Sequence, residues 1–175
     1  MPDPAVLTDY IRSVPDFPKP GILFRDITTL LSAPEAFSQA VDRLTDGITA
    51  WEPDVIAAIE SRGFLFGAPM ALRLAVPLVP VRKPGKLPYE TISHSYDLEY
   101  GTDTLEIHVD AIPDGAKVVV IDDLLATGGT VEACCRLVEK AGGTVAGCGF
   151  VIELAGLGGA AKLAPYPHRS LITYD

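Results

Sequence analysis

Cysteine is scarce: three thiols, Cys134, Cys135 and Cys148, in 175 residues. An odd count, with no C-x-x-C spacing and no paired histidines nearby, argues against a disulfide framework or a zinc site and leaves buried thiols. Basic residues are outnumbered, 14 against 23 acidic, for a formal net charge of −9. That disfavours a nucleic-acid surface, which needs clustered Lys and Arg to displace counterions. An anionic substrate in such a chain must be met by local cations, backbone amides or a metal. No apolar run reaches the about 20 residues that a membrane helix needs, so no membrane partner is expected. The start, MPDPAVLTDY, lacks the basic n-region and apolar core of a secretory signal, and the expected location is the cytoplasm. Internal repeats and low-complexity linkers are absent, as is the G-x-x-x-x-G-K-S/T loop of nucleoside-triphosphate sites. His94, His108 and His168 show no ligand spacing, which points to surface or structural roles.

What remains is 48% hydrophobic, enough for one globular domain over 1–175 with a real core. Residues 4–13 are expected to form a short helix before the Pro-rich turn PDFPKPG. Ser32-Ala33-Pro34-Glu35 has capping-box spacing, and Phe37, Ala40, Val41, Leu44 and Ile48 keep the helical period, predicting a helix over 33–49. DVIAAIE (54–60) reads as a buried strand followed by a helix to about Ala75, and PLVPVR (77–82) as another strand. KPGKLPYETISHS (83–95) is polar and turn-rich, the pattern of a mobile loop. SYDLEYG and TLEIHVD alternate like two strands, and KVVVI reads as a strand buried on both faces. A helix carrying Val131, Cys134, Cys135 and Val138 ends near Gly142-Gly143; the strand TVAGCGFVIE, a short helix and SLITY follow. Strands alternating with helices predict an α/β fold with a twisted, mainly parallel sheet.

The stretch VVVIDDLLATGGT (118–130) carries the most chemistry. In open α/β sheets, ligands sit at the carboxyl ends of the strands, and Asp122 and Asp123 end a central one. The loop Ala126-Thr127-Gly128-Gly129-Thr130 then opens a helix whose free N–H groups and positive dipole end suit a phosphate. Carboxylates repel phosphate but accept well from a sugar diol, each charged bond contributing about 1.5–3 kcal/mol. A sugar 5-phosphate satisfies both, with its phosphate on the amides and its 2- and 3-hydroxyls on Asp122 and Asp123. The alternative is a solvated Asp-Asp turn.

VVVIDDLLATGGT resembles the phosphoribosyl-diphosphate signature of type I phosphoribosyltransferases. PGILFRDIT, ESRGFLFGAP, VRKPGKLP, SYDLEYG and VIELAGLGGAAKLAPYP extend the likeness over nearly the whole chain, in the version used by the adenine-specific branch. The resemblance implies adenine plus 5-phosphoribosyl 1-pyrophosphate giving AMP and pyrophosphate, with magnesium as cofactor. It also implies a sheet flanked by helices, a small hood drawn mainly from 1–35, a flexible catalytic loop at about 83–95, and a homodimer.

The remaining candidates follow from both sources. Ser61 and Arg62 end a rim strand, and the family places this turn against the pyrophosphate, to which Arg62 offers a planar donor fork; a structural pairing of Arg62 with Glu60 or an exposed acid is the alternative. Arg82, Lys83 and Lys86 either serve a solvated loop or neutralise the leaving pyrophosphate. The resemblance puts Glu99 by the adenine imidazole, with Tyr100 beside it, where a carboxylate can take up a proton; otherwise Glu99 faces solvent. It places Phe24 and Leu124 against the two faces of adenine, and the Leu23 carbonyl and Arg25 amide on its edge, although from residue type alone Phe24 is a core residue. Magnesium is expected to lie near Asp122 and Asp123 through substrate and water, without a direct protein ligand. The rivals are a phosphoribosyltransferase for another purine base and a phosphoribosyl-diphosphate-sensing regulator.

Overall fold

The computed structural model describes residues 6–97 and 101–175. It divides into two compact units, Met1–Arg43 and Leu44–Asp175.

In the first unit a 3-10 turn, Leu7–Tyr10, leads into β1 (Arg12–Pro15), which pairs antiparallel with β2 (Leu23–Asp26). The helix expected over 4–13 is therefore corrected to one short turn and a strand. Pro15 biases the residue before it towards extended backbone, and β2 supplies a ladder partner. Next come the one-turn helix α1 (Thr28–Leu31) and the start of α2 (Pro34–Thr49). Ser32 closes α1: its amide and its hydroxyl both donate to the Thr28 carbonyl, at 3.0 and 2.8 Å. Pro34 opens α2, where its missing N–H removes nothing. Of the periodic residues, Ala40, Val41, Leu44 and Ile48 are buried and Phe37 is half-buried.

The second unit holds a five-stranded parallel sheet. Its members are β3 (Val55–Ile59), β4 (Leu78–Val81), β7 (Lys117–Leu125), β8 (Thr144–Leu154) and β9 (His168–Tyr174), in the order β4-β3-β7-β8-β9. Helices α3 (Gly63–Leu74) and α4 (Gly129–Lys140) supply crossovers; α3 packs on β3 and β7, α4 on β7 and β8. A short α5 (Gly159–Lys162) precedes β9. β7 is central, and Val118 to Ile121 are fully buried, so a run without alternation forms a strand covered on both faces. The mainly parallel α/β architecture is the one expected.

Two boundaries differ. β7 does not end at the acid pair but continues to Leu125, because the long β8 keeps offering partners: Asp122 faces Phe150 and Leu124 faces Ile152 in register. Residues 91–95, read as the end of a loop, belong to β5 (Thr91–Asp97), which pairs along its length with β6 (Thr102–His108). A polar strand gives no apolar period, so only its partner reveals it. No described helix is long and apolar enough to cross a membrane.

Candidate active site

Three neighbouring parallel strands deliver the chemistry to one rim. Glu60, Ser61 and Arg62 follow β3, Arg82 and Lys83 follow β4, and β7 carries Asp122 and Asp123. Glu60, Ser61, Arg62, Lys83, Asp122 and Asp123 line a cavity of about 330 Å³. A second cavity, of about 190 Å³, is lined by the Ala126–Thr130 loop and Leu124. Arg62, Asp122, Asp123 and Thr130 line both. The acid pair thus lies between two recesses, one ending in backbone amides and the other in cations.

The amide end depends on Gly128. Its φ of 78° caps α4 in the left-handed region, and a Cβ there would lie 2.7 Å from the Gly159 carbonyl oxygen. Only glycine fits both demands. The Glu132 amide donates to the Gly128 carbonyl at 2.9 Å, so the amides ahead of it lie at the helix end, where no intrahelical acceptor exists. Gly63 serves a close approach: a Cβ would meet the Ile121 carbonyl oxygen at 2.7 Å and Asp122 Oδ1 at 3.1 Å. It lets the start of α3 reach the acid pair.

The carboxylates themselves are unequal. Asp122 Oδ1 accepts the Asp123 amide at 2.8 Å, while Asp123 Oδ2 accepts Arg62 Nε at 2.7 Å. Burial, and then the charge of Asp123, push the Asp122 carboxyl well above the usual carboxylate range.

At the cation end, Glu60 gathers the charges. Arg82 Nε donates to it at 2.9 Å, the Lys83 amide at 2.6 Å, and Lys86 Nζ stands 3.9 Å away. Burial raises the Glu60 pKa, but the Lys83 amide and Arg82 outweigh it, and the group titrates below its ordinary value. Lys83 Nζ reaches Asp103 at 2.8 Å, which lowers the acid and raises the amine. Each of these cations therefore meets a carboxylate that an incoming polyanion must displace.

This arrangement has known relatives. A phosphoribosyl transferase domain model matches residues 28–166. The chain is 57% identical to the adenine phosphoribosyltransferase of Maridesulfovibrio salexigens, over 95% of this chain and 98% of that one. The crystal structure of adenine phosphoribosyltransferase from Thermoanaerobacter pseudethanolicus superposes with a TM-score of 0.95 at 52% identity, covering 98% of this chain and all of that one. The yeast enzyme, solved with adenine and an imino-altritol bisphosphate, aligns with a TM-score of 0.88 at 41% identity over 94% and 96% of the two chains. The chain belongs to the adenine phosphoribosyltransferases.

Of the residues expected at an adenine phosphoribosyltransferase site, the second unit brings together Ser61, Arg62, Lys83, Asp122, Asp123, Leu124 and the Ala126–Thr130 loop around the two cavities. Arg82 and Lys86 reach the rim through Glu60. Leu23, Phe24 and Arg25 lie on β2 of the first unit. There Leu23 is exposed, Phe24 meets Phe17 edge-on at 5.1 Å, and the Arg25 guanidinium donates to the Ser13 hydroxyl at 2.5 Å. Glu99 and Tyr100 lie outside the described residues.

Three contributors escaped sequence reasoning. Glu60 figured there only as an alternative partner for Arg62, and Tyr96 and Asp103 not at all. Tyr96 and Asp103 are cross-strand partners, a pairing legible only once β5 and β6 are set in register. The Tyr96 and Thr130 hydroxyls lie 3.1 Å apart, tying that hairpin to the first turn of α4. Among the described residues, no group of three or more His, Cys, Asp or Glu side chains is placed to hold a metal.

Proposed function

We propose that the chain transfers the 5-phosphoribosyl group from 5-phosphoribosyl 1-pyrophosphate to adenine, giving AMP and pyrophosphate. One observation carries this reading: the acid pair is shared by a recess that ends in amides and a recess that ends in cations. A sugar with phosphate at one end and pyrophosphate at the other has that polarity.

In this assignment the Ala126–Thr130 loop holds the 5-phosphate through backbone amides and the Thr127 and Thr130 hydroxyls. Asp122 and Asp123 accept the ribose hydroxyls. Ser61, Arg62, Arg82, Lys83 and Lys86 take the pyrophosphate, whose developing charge they stabilise as the anomeric bond lengthens. Adenine attacks from the opposite face and inverts that carbon. Its imidazole proton becomes more acidic as the new bond forms, and Glu99, with Tyr100 beside it, stabilises or takes that proton. Leu23, Phe24, Arg25 and Leu124 hold the base by stacking and backbone hydrogen bonds, which tell a 6-amino from a 6-oxo group.

Two carboxylates bordering the cavity suit a hard cation held through water, so Asp122 and Asp123 are the residues to support magnesium. When bound, the ion would offset charge between pyrophosphate and ribose. The working compartment is the cytoplasm, where these charged substrates are retained. A homodimer would give Leu65 and Leu72, two turns apart and exposed on α3, an apolar partner.

The test is incubation with 5-phosphoribosyl 1-pyrophosphate, magnesium and each of adenine, hypoxanthine and guanine. AMP formed from adenine, with little product from the others, supports the assignment; nucleotide from another base alone rejects it.

A further inference from the structure

One hydrogen-bonded chain crosses the site without a role so far. Lys83 Nζ donates to Asp103 Oδ2 at 2.8 Å, the Tyr96 hydroxyl reaches the same oxygen at 3.4 Å, and the Tyr96 and Thr130 hydroxyls lie 3.1 Å apart. The four residues come from the end of β4, from β5 and β6, and from the first turn of α4, and all line the larger cavity. The chain therefore runs from a cation at the pyrophosphate end to a hydroxyl at the 5-phosphate end.

Counting protons shows what it can do. The ammonium only donates, and the ionised carboxylate only accepts. Tyr96 and Thr130 each have one hydroxyl proton. Burial pushes the Tyr96 phenol up, so it remains a donor at neutral pH. While Tyr96 donates to Asp103, the Thr130 proton must go to the Tyr96 oxygen for their bond to survive. A phosphate on the loop needs the Thr130 proton, and the bond then survives only if Tyr96 turns its proton from Asp103 to Thr130. Asp103 is left with Lys83 as its side-chain donor and holds it more firmly. Conversely, pyrophosphate drawing Lys83 away leaves Asp103 calling on Tyr96, and Thr130 turns back from the phosphate.

We propose that Tyr96 is a positioning residue whose single proton serves either end of the site, so that 5-phosphate and pyrophosphate oppose each other's binding through it. The inference rests on the reading of the Ala126–Thr130 loop as the 5-phosphate seat. Its consequence is directional. Once pyrophosphate departs, Lys83 returns to Asp103, Tyr96 turns to Thr130, and the grip on the remaining phosphate tightens.

The experiment measures ribose 5-phosphate affinity by calorimetry, with and without saturating pyrophosphate, at fixed magnesium. The ratio of the two dissociation constants is the coupling, and it is reciprocal. Tyr96→Phe keeps the ring and removes the proton. It should lower the ratio about threefold to tenfold, the span of one ordinary hydrogen bond. Thr130→Val should weaken ribose 5-phosphate by itself, and adding Tyr96→Phe to it should leave the ratio unchanged. An equal ratio in wild type and Tyr96→Phe overturns the proposal even when Thr130→Val weakens binding. If Thr130→Val leaves ribose 5-phosphate binding intact, the assignment of the loop falls, and the proposal with it.

Discussion

Arg62 and Asp123 form an ion pair at 2.7 Å, with the guanidinium half exposed and the carboxylate buried. It joins a residue assigned to pyrophosphate to one assigned to the ribose hydroxyls. Asp123 sits at only 5% exposure, where an unpaired charge would be costly, and Arg62 offsets it from the cavity side. The guanidinium is a planar donor fork, and its Nε is the group that meets Asp123.

Arg62→Ala should therefore have two separable effects. Pyrophosphate affinity should fall about tenfold to a hundredfold, as for one charged hydrogen bond, and thermal stability should drop because Asp123 loses its partner. Adding Asp123→Asn should restore stability but not pyrophosphate binding. Calorimetry and thermal unfolding read the two effects; recovery of affinity in the double variant would refute the assignment of Arg62.

Gly128→Ala should damage the Ala126–Thr130 loop. The left-handed φ of 78° and the 2.7 Å approach to the Gly159 carbonyl oxygen both oppose a Cβ. A loss of about 1–3 kcal/mol in stability is expected, with weaker ribose 5-phosphate binding and pyrophosphate binding little changed. Denaturant titration and calorimetry provide the check.

Asp122 gives a pH signature. Its folded pKa is raised above the ordinary 3.8 by burial and by Asp123, so above that pH the folded state retains a proton that the unfolded chain has lost. Stability from this group is greatest at low pH and declines as pH rises from about 4 towards the folded pKa. Asp122→Asn keeps the oxygen that accepts the Asp123 amide and should remove this decline. Unfolding curves for the two proteins should diverge with rising pH, the variant being the more stable near neutrality and the weaker binder of ribose 5-phosphate. Parallel curves would contradict the raised pKa.

Glu99→Gln should lower turnover by about 10²-fold or more while adenine binding stays nearly constant, as for loss of a group that handles a proton. Steady-state kinetics and equilibrium binding of adenine measure this. Unchanged turnover would remove Glu99 from the chemistry.

Much of the site was legible because its parts are consecutive. In 118–130 the apolar run, the acid pair, the glycine pair and the helix start follow one another, and local backbone rules place them. The extent of β7 was not legible, since its last residues are held by β8 rather than by their own apolar pattern. β5 was hidden for the same reason: Thr91 to Asp97 look like a polar loop until β6 pairs with them.

The sequence by itself determined the fold class and set the acid pair just ahead of a glycine turn and a helix start, because hydrophobic period, glycine placement and helix ends act over a few residues. Tertiary structure alone decided which charge meets which. Arg62 and Asp123 are 61 residues apart, Arg82 and Glu60 22, and Lys83 and Asp103 20. Such partners become neighbours only when β4, β3 and β7 align in parallel and the β5–β6 hairpin brings Asp103 to the same cavity. Coulomb attraction over a few ångströms then selects pairs that no local spacing encodes.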